Sequence, residues 1–128
     1  MKLRTSLLLA GLVAGLAAPA FAEGGDPEAG EKVFRKCKAC HMIGPDAQNR
    51  VGPILTGVVG RPVGSEEGFS YSEAFQEKHA EGAVWDEEML HSYLTDPKAF
   101  IPGNKMAFAG LRKPEDIDNV IAYIETFQ

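Results

Sequence analysis

Cysteine is almost missing from this chain: 128 residues hold two, Cys37 and Cys40, three positions apart. A bridge between them would close almost no loop and would restrain the unfolded chain little, so they are not the staple of a small exported domain. No second pair is present to complete the four ligands of a structural zinc site. Strand-like alternation of apolar and polar residues is lacking too, and with it the βαβ context of a C-x-x-C thiol redox pair. Basic residues are in deficit, 13 Lys+Arg against 18 Asp+Glu, which argues against a nucleic-acid partner, since phosphate binding needs a cationic excess. Repeats and low-complexity tracts are absent after residue 22, and the length suits one domain.

Long uncharged runs are confined to Ser6–Ala22. Lys2 and Arg4 precede this run and Ala20-Phe21-Ala22 closes it, the pattern of a cleaved secretory signal. The alternative, a retained membrane anchor, would need about 20 apolar residues and a flexible tether, whereas few residues separate Ala22 from the first helix signal. The reading is a signal at 1–22, a domain at 23–128, a periplasmic location and no stable membrane insertion. Lys2 and Arg4 leave with the signal, so 11 basic residues face 18 acids and the formal charge becomes −7. A domain of this size is marginal on its own core, and a large apolar cofactor would add buried area.

What is present reads as all-α, with about four to five helices and long loops. Asp26-Pro27-Glu28 combines an N-cap, a first-position proline and an acidic first turn, predicting a helix to about Cys40. Gly30 stands inside it at a cost of about 1 kcal/mol relative to Ala, which a close helix crossing would justify. Residues 42–68 are punctuated by Gly and Pro and read as a long wrapped loop; a cofactor at its centre makes such length sensible. Ser72 to about His79 reads as a short helix. Asp86-Glu87-Glu88 opens another that Asp96-Pro97 ends. Residues 100–111 read as loop. Lys113-Pro114-Glu115-Asp116 opens the last helix, with Ile117, Val120, Ile121 and Ile124 as its apolar stripe.

Cys37-Lys38-Ala39-Cys40-His41 is the C-x-x-C-H signature of haem attachment. Two thiols add across the two vinyl groups of one haem c, and His41 points its imidazole at the iron. The second axial ligand separates a carrier from a haem enzyme or gas sensor, because an open position admits small molecules. Met42, Met89, Met106, His79 and His91 are the candidates. Met42 follows His41 and belongs to the same side of the ring. Met89 reads as core filler on a helix. His79 and His91 read as surface histidines. Met106 lies in the turn-rich loop Ile101-Pro102-Gly103-Asn104-Lys105-Met106, which can aim it inward. A thioether opposite His raises the reduction potential. Taken alone, Tyr71, Trp85 and Tyr93 read equally as core aromatics.

The chain closely resembles the class I, mitochondrial-type cytochrome c family, in its small soluble bacterial branch. The resemblance runs from Gly30 and Phe34 through the haem motif, Gly52-Pro53, Gly57, Gly60-Arg61, Gly68-Phe69-Ser70-Tyr71, Trp85, Tyr93-Leu94 and Pro97-Lys98. It continues through residues 101–106 and Phe108-Ala109-Gly110 to Ile121-Ala122-Tyr123. It implies that the Pro53 carbonyl fixes the His41 ring and that Arg61, Tyr71, Trp85 and Asn104 hydrogen-bond the haem propionates. It places Tyr93 beside the Met106 sulfur, Phe108 over the haem edge, and Gly30 at a crossing near Tyr123. Phe75 departs from the family's Asn beside an internal water. The implied function is a monomeric single-electron carrier, not an enzyme. It would run between a quinol–cytochrome c reductase and a terminal oxidase or photosynthetic reaction centre. Arg35, Lys36, Lys38, Lys98, Lys105, Arg112 and Lys113 adjoin haem-binding segments. They read as a positive ring for transient docking on acidic membrane complexes, or else as ordinary loop-side cations.

Overall fold

A computed structural model describes Gly11, Ala14, Gly15 and residues 24–128; the proposed signal and its cleavage site lie outside the described residues except for those three. Five helices follow in order: α1 (Pro27–Phe34), α2 (Glu73–Ala80), α3 (Glu87–Thr95), α4 (Pro97–Phe100) and α5 (Pro114–Glu125). Among the described residues there is no sheet, only an isolated bridge between Pro62 and Val84. No described helix is long and apolar enough to cross a membrane.

α1 starts as its sequence predicts. The Asp26 carboxylate accepts from the Glu28 amide and Pro27 occupies the first turn, satisfying donors that a helix N-terminus leaves orphaned. The helix stops at Phe34, six residues short of the expected end. Beyond it the chain tightens into i→i−3 turns, Lys36 N–H to Val33 O at 3.1 Å and Cys37 N–H to Phe34 O at 2.8 Å. Apolar spacing cannot distinguish such turns from continued α-helix.

α1 and α5 cross with little between them. A Cβ on Gly30 would overlap the Asn119 carbonyl and sit 2.8 Å from the Tyr123 Cβ. The crossing is sealed by Phe34 against Tyr123, ring centroids 5.3 Å apart, and by the Asp26 amide donating to Asn119 Oδ1 at 2.9 Å. Ile117, Val120, Ile121 and Ile124 are buried on α5, the stripe the sequence shows. The Gly30 cost is thus repaid by close packing.

The long loop is pinned to the helices at several points. Gly57 N–H reaches Phe127 O at 2.7 Å, and Leu55 N–H reaches Met42 O at 3.0 Å. Val63 N–H to Ala83 O and Trp85 N–H to Arg61 O, at 2.8 and 2.9 Å, zip residues 60–63 to the segment before α3. That zip sets Trp85, 6% exposed, in the core. One element was not anticipated: Asp96-Pro97 ends α3 and also begins α4, with the Asp96 side chain accepting from the Ala99 amide.

Candidate haem site

The attachment segment is built by turns. Cys40 N–H and His41 N–H both bond the Cys37 carbonyl, at 3.2 and 2.9 Å, so the two thiols and the imidazole leave one compact coil. Nδ1 of His41 pairs with the Pro53 carbonyl at 2.8 Å. A carbonyl only accepts, so the ring proton sits on Nδ1 and the lone pair on Nε2 is left for a metal. Gly52 backs the ring: a Cβ there would lie 2.6 Å from Nδ1 and 2.7 Å from Nε2. Burial pushes the His41 pKa down, against the Pro53 bond that raises it, and Arg61 lowers it further. The neutral, ligating form is therefore favoured.

Both cysteines are free of disulfide. As a thiol, Cys37 is pushed up to about 11, chiefly by burial, with Lys36 pulling it down and Cys40 adding to the rise. A thiol–disulfide exchange catalyst needs the opposite, a depressed thiol pKa.

An aromatic wall is built from α2, α3 and the residues just before them. Tyr71 stacks on Phe75 at 5.7 Å with 10° between planes. Phe75 meets Trp85 at 6.1 Å and Tyr93 at 5.9 Å, and Trp85 meets Tyr93 at 5.0 Å. Phe75, the departure from the family pattern, thus fills the centre of the wall with hydrocarbon. Burial drives the Tyr93 pKa far up, so its hydroxyl stays a donor, and it donates to Met106 Sδ at 3.7 Å.

Arg61 stands at the loop side. Nη1 donates to Glu66 Oε2 at 2.9 Å and Nη2 to the Ile54 carbonyl at 3.1 Å. Its Nε is buried with no hydrogen-bond partner among the described residues. The Tyr71 hydroxyl accepts from the Glu66 amide at 3.0 Å, which leaves its own proton free to donate. Asn104 is bonded within its own loop: its Nδ2 donates to the Pro97 and Ile101 carbonyls, both at 2.8 Å, and its Oδ1 accepts from Met106 N–H at 2.9 Å.

The other candidate iron ligands have contacts of their own. His79 Nδ1 bonds the Val63 carbonyl at 2.9 Å, the same kind of carbonyl bond that His41 makes. His91 Nε2 lies 3.4 Å from Asp118 Oδ1 across the α3–α5 seam. Met89 packs on the core cluster, as Met106 does. Met42 shares a cavity with its neighbour His41 and with Lys38, Arg50 and Phe127. Sequence reasoning missed Glu66 and gave Lys98 only a place in the positive ring, because the Arg61–Glu66 and Lys98–Asn104 contacts are loop contacts that no periodicity encodes.

The donor set fits a haem: two unpaired thiols, an oriented neutral imidazole, and a buried guanidinium nitrogen with an unmet donor. The comparisons agree. The family model described as Cytochrome c matches residues 27–128. The chain belongs to the cytochrome c family. A cytochrome c2 of Afifella marina is 52% identical over 99 residues, spanning 77% of this chain and 80% of the relative. Among solved structures, cytochrome c2 from Rhodospirillum centenum has a TM-score of 0.78 at 40% identity, covering 81% of this chain and 99% of that one. Cytochrome cH from Methylobacterium extorquens has a TM-score of 0.73 at 44% identity, covering 80% and 99%. These relatives place the chain in the class I, bacterial cytochrome c2 branch. It is an electron-carrying cytochrome c with the cytochrome c fold and one covalent haem c, and the Cys37–Cys40 spacing suits that attachment.

Proposed function

We propose that this cytochrome c is a periplasmic one-electron shuttle, domain 23–128 after loss of a signal at 1–22, whose iron is held between His41 Nε2 and Met106 Sδ. Cys37 and Cys40 carry the thioethers, and Arg61, Tyr71 and Trp85 serve the propionates. The reading is supported by one observation: Met106 is the candidate whose sulfur meets the buried Tyr93 hydroxyl. Bound haem supplies reversible one-electron chemistry at iron. The chain's part is to keep both axial donors fixed in either oxidation state, to orient His41 through Pro53, and to keep water from the sulfur with the aromatic wall.

The electron donor is a quinol–cytochrome c reductase, and the acceptor a terminal oxidase or photosynthetic reaction centre. Docking is monomeric, transient and electrostatic. Arg35, Lys36, Lys38, Lys105, Arg112 and Lys113 are all exposed, as a steering ring needs. Electron-transfer rates to such complexes that stay level as ionic strength rises would remove the ring from the account. The decisive experiment is an absorption spectrum of the ferric protein. A methionine-to-iron charge-transfer band is expected, and its loss in Met106→Ala. A band that survives that substitution would end the His41/Met106 assignment.

A further inference from the structure

The segment that carries Met106 is anchored at its two ends and bare between them. At the far end, Leu111 N–H bonds the Leu94 carbonyl at 2.8 Å, and Gly110 lies so close to the C-terminus of α3 that a Cβ would overlap the Thr95 carbonyl. From Lys105 to Gly110, no residue makes a backbone–backbone hydrogen bond among the described residues. The polar hold on the Met106 backbone is the side chain of Asn104, while its sulfur takes the Tyr93 hydroxyl.

Asn104 is 4% exposed and every polar atom it has is used. Its amide N–H donates to the Ile101 carbonyl at 3.2 Å. Its Nδ2 takes the Pro97 and Ile101 carbonyls at the end of α4. Its Oδ1 accepts the Met106 amide. Its own carbonyl accepts Lys98 Nζ at 2.6 Å. One residue therefore ties the sulfur-bearing segment to α4, and a lysine on α4 closes the tie from outside. The carbonyls of Pro97 and Ile101 would lose a partner without it, and buried polar groups resist that loss.

We infer that Asn104, latched by Lys98, is the positioning residue that sets how readily Met106 leaves the iron, and so how far the distal position is open to small nitrogenous ligands. The inference rests on Met106 being the sixth ligand. Opening means breaking the Asn104 ties and swinging the segment about its Gly110 end. Imidazole then binds only the open fraction, so its apparent affinity follows the population of that state.

The test is a ferric imidazole titration of the holoprotein in five forms: parent, Asn104→Ala, Lys98→Met, Lys98→Arg and Met106→Ala. Asn104→Ala is expected to bind imidazole about tenfold more tightly, a factor typical of one lost buried tie, with a weakened methionine-to-iron band. Lys98→Met is expected to move in the same direction by a smaller factor, and Lys98→Arg, which keeps a donor, to return towards the parent. Lys98 is exposed, so Lys98→Met carries the test should Asn104→Ala fail to fold. Imidazole affinities equal to the parent in these variants, with Met106→Ala alone binding more tightly, would overturn the lock and leave the ligand assignment standing. A Met106→Ala protein with unchanged affinity would overturn the ligand assignment itself and this inference with it.

Discussion

The hydroxyl of Tyr93 donates to the sulfur of Met106 at 3.7 Å, joining α3 to the loop that follows α4. Tyr93 is 6% exposed, and burial raises its pKa so far that it cannot ionise near neutrality. A donor held against the thioether draws electron density from the sulfur. With Met106 on the iron as proposed, the ferric state, which needs that density more, would be disfavoured and the reduction potential would rise.

Tyr93→Phe keeps the ring in the aromatic wall and removes only that donor. A hydrogen bond of this kind contributes ~0.5–1 kcal/mol, equivalent to about 20–40 mV for one electron. The midpoint potential is expected to fall by that amount with the methionine-to-iron band retained. Redox titration under anaerobic conditions reads it directly. A potential unchanged within a few millivolts would show that the contact does not tune the iron.

Gly30→Ala probes the α1–α5 crossing. Alanine gains about 1 kcal/mol of helix propensity, but its Cβ would enter the Asn119 carbonyl and crowd Tyr123. Overpacking of this sort costs about 1–3 kcal/mol, and here the obstacle is backbone, which cannot rotate aside. A net loss of up to about 2 kcal/mol is expected, lowering Tm by at most roughly 8–16 °C in a domain of this size. Thermal unfolding followed by far-UV circular dichroism checks it. A Tm equal to the parent would mean that the helices part at no cost.

The start of α1, the α5 stripe and the haem motif were all legible as sequence, because capping, 3.6-residue spacing and the C-x-x-C-H pentapeptide are local. Asp96-Pro97 shows where local reading stops. The same Asp-Pro pair that starts α1 was read only as the end of α3, yet Asp96, extended at φ −157°, also caps α4. The end of α1 was overrun because i→i−3 turns keep much of the helical spacing. His41 with Pro53 and Tyr93 with Met106 were expected on family resemblance alone, since each joins segments that no periodic pattern relates. Arg61 with Glu66 was not anticipated at all, and Asn104 turned out to hold the loop. Both belong to irregular chain, where side chain–backbone geometry decides and sequence spacing does not.

Glu125 gives a pH dependence of unusual sign for an acid. It lies in the last turn of α5, where the helix dipole disfavours an anion, and faces Glu87 in the first turn of α3. Burial, a hydrogen bond to Glu87 and the charge of Glu87 raise its pKa from 4.5 to about 7. The unfolded chain releases this proton near 4.5, the folded chain only near 7. Between those values the folded state holds more protons, so stability falls as pH rises through the window and levels off above it. Glu125→Gln keeps a neutral partner for Glu87 at every pH. The variant is expected to show a flatter stability profile from pH 4.5 to 7 and a higher denaturant midpoint than the parent at pH 8. Urea unfolding at several pH values across that range measures both. Parallel profiles for parent and variant would mean that the two carboxyls do not share a proton.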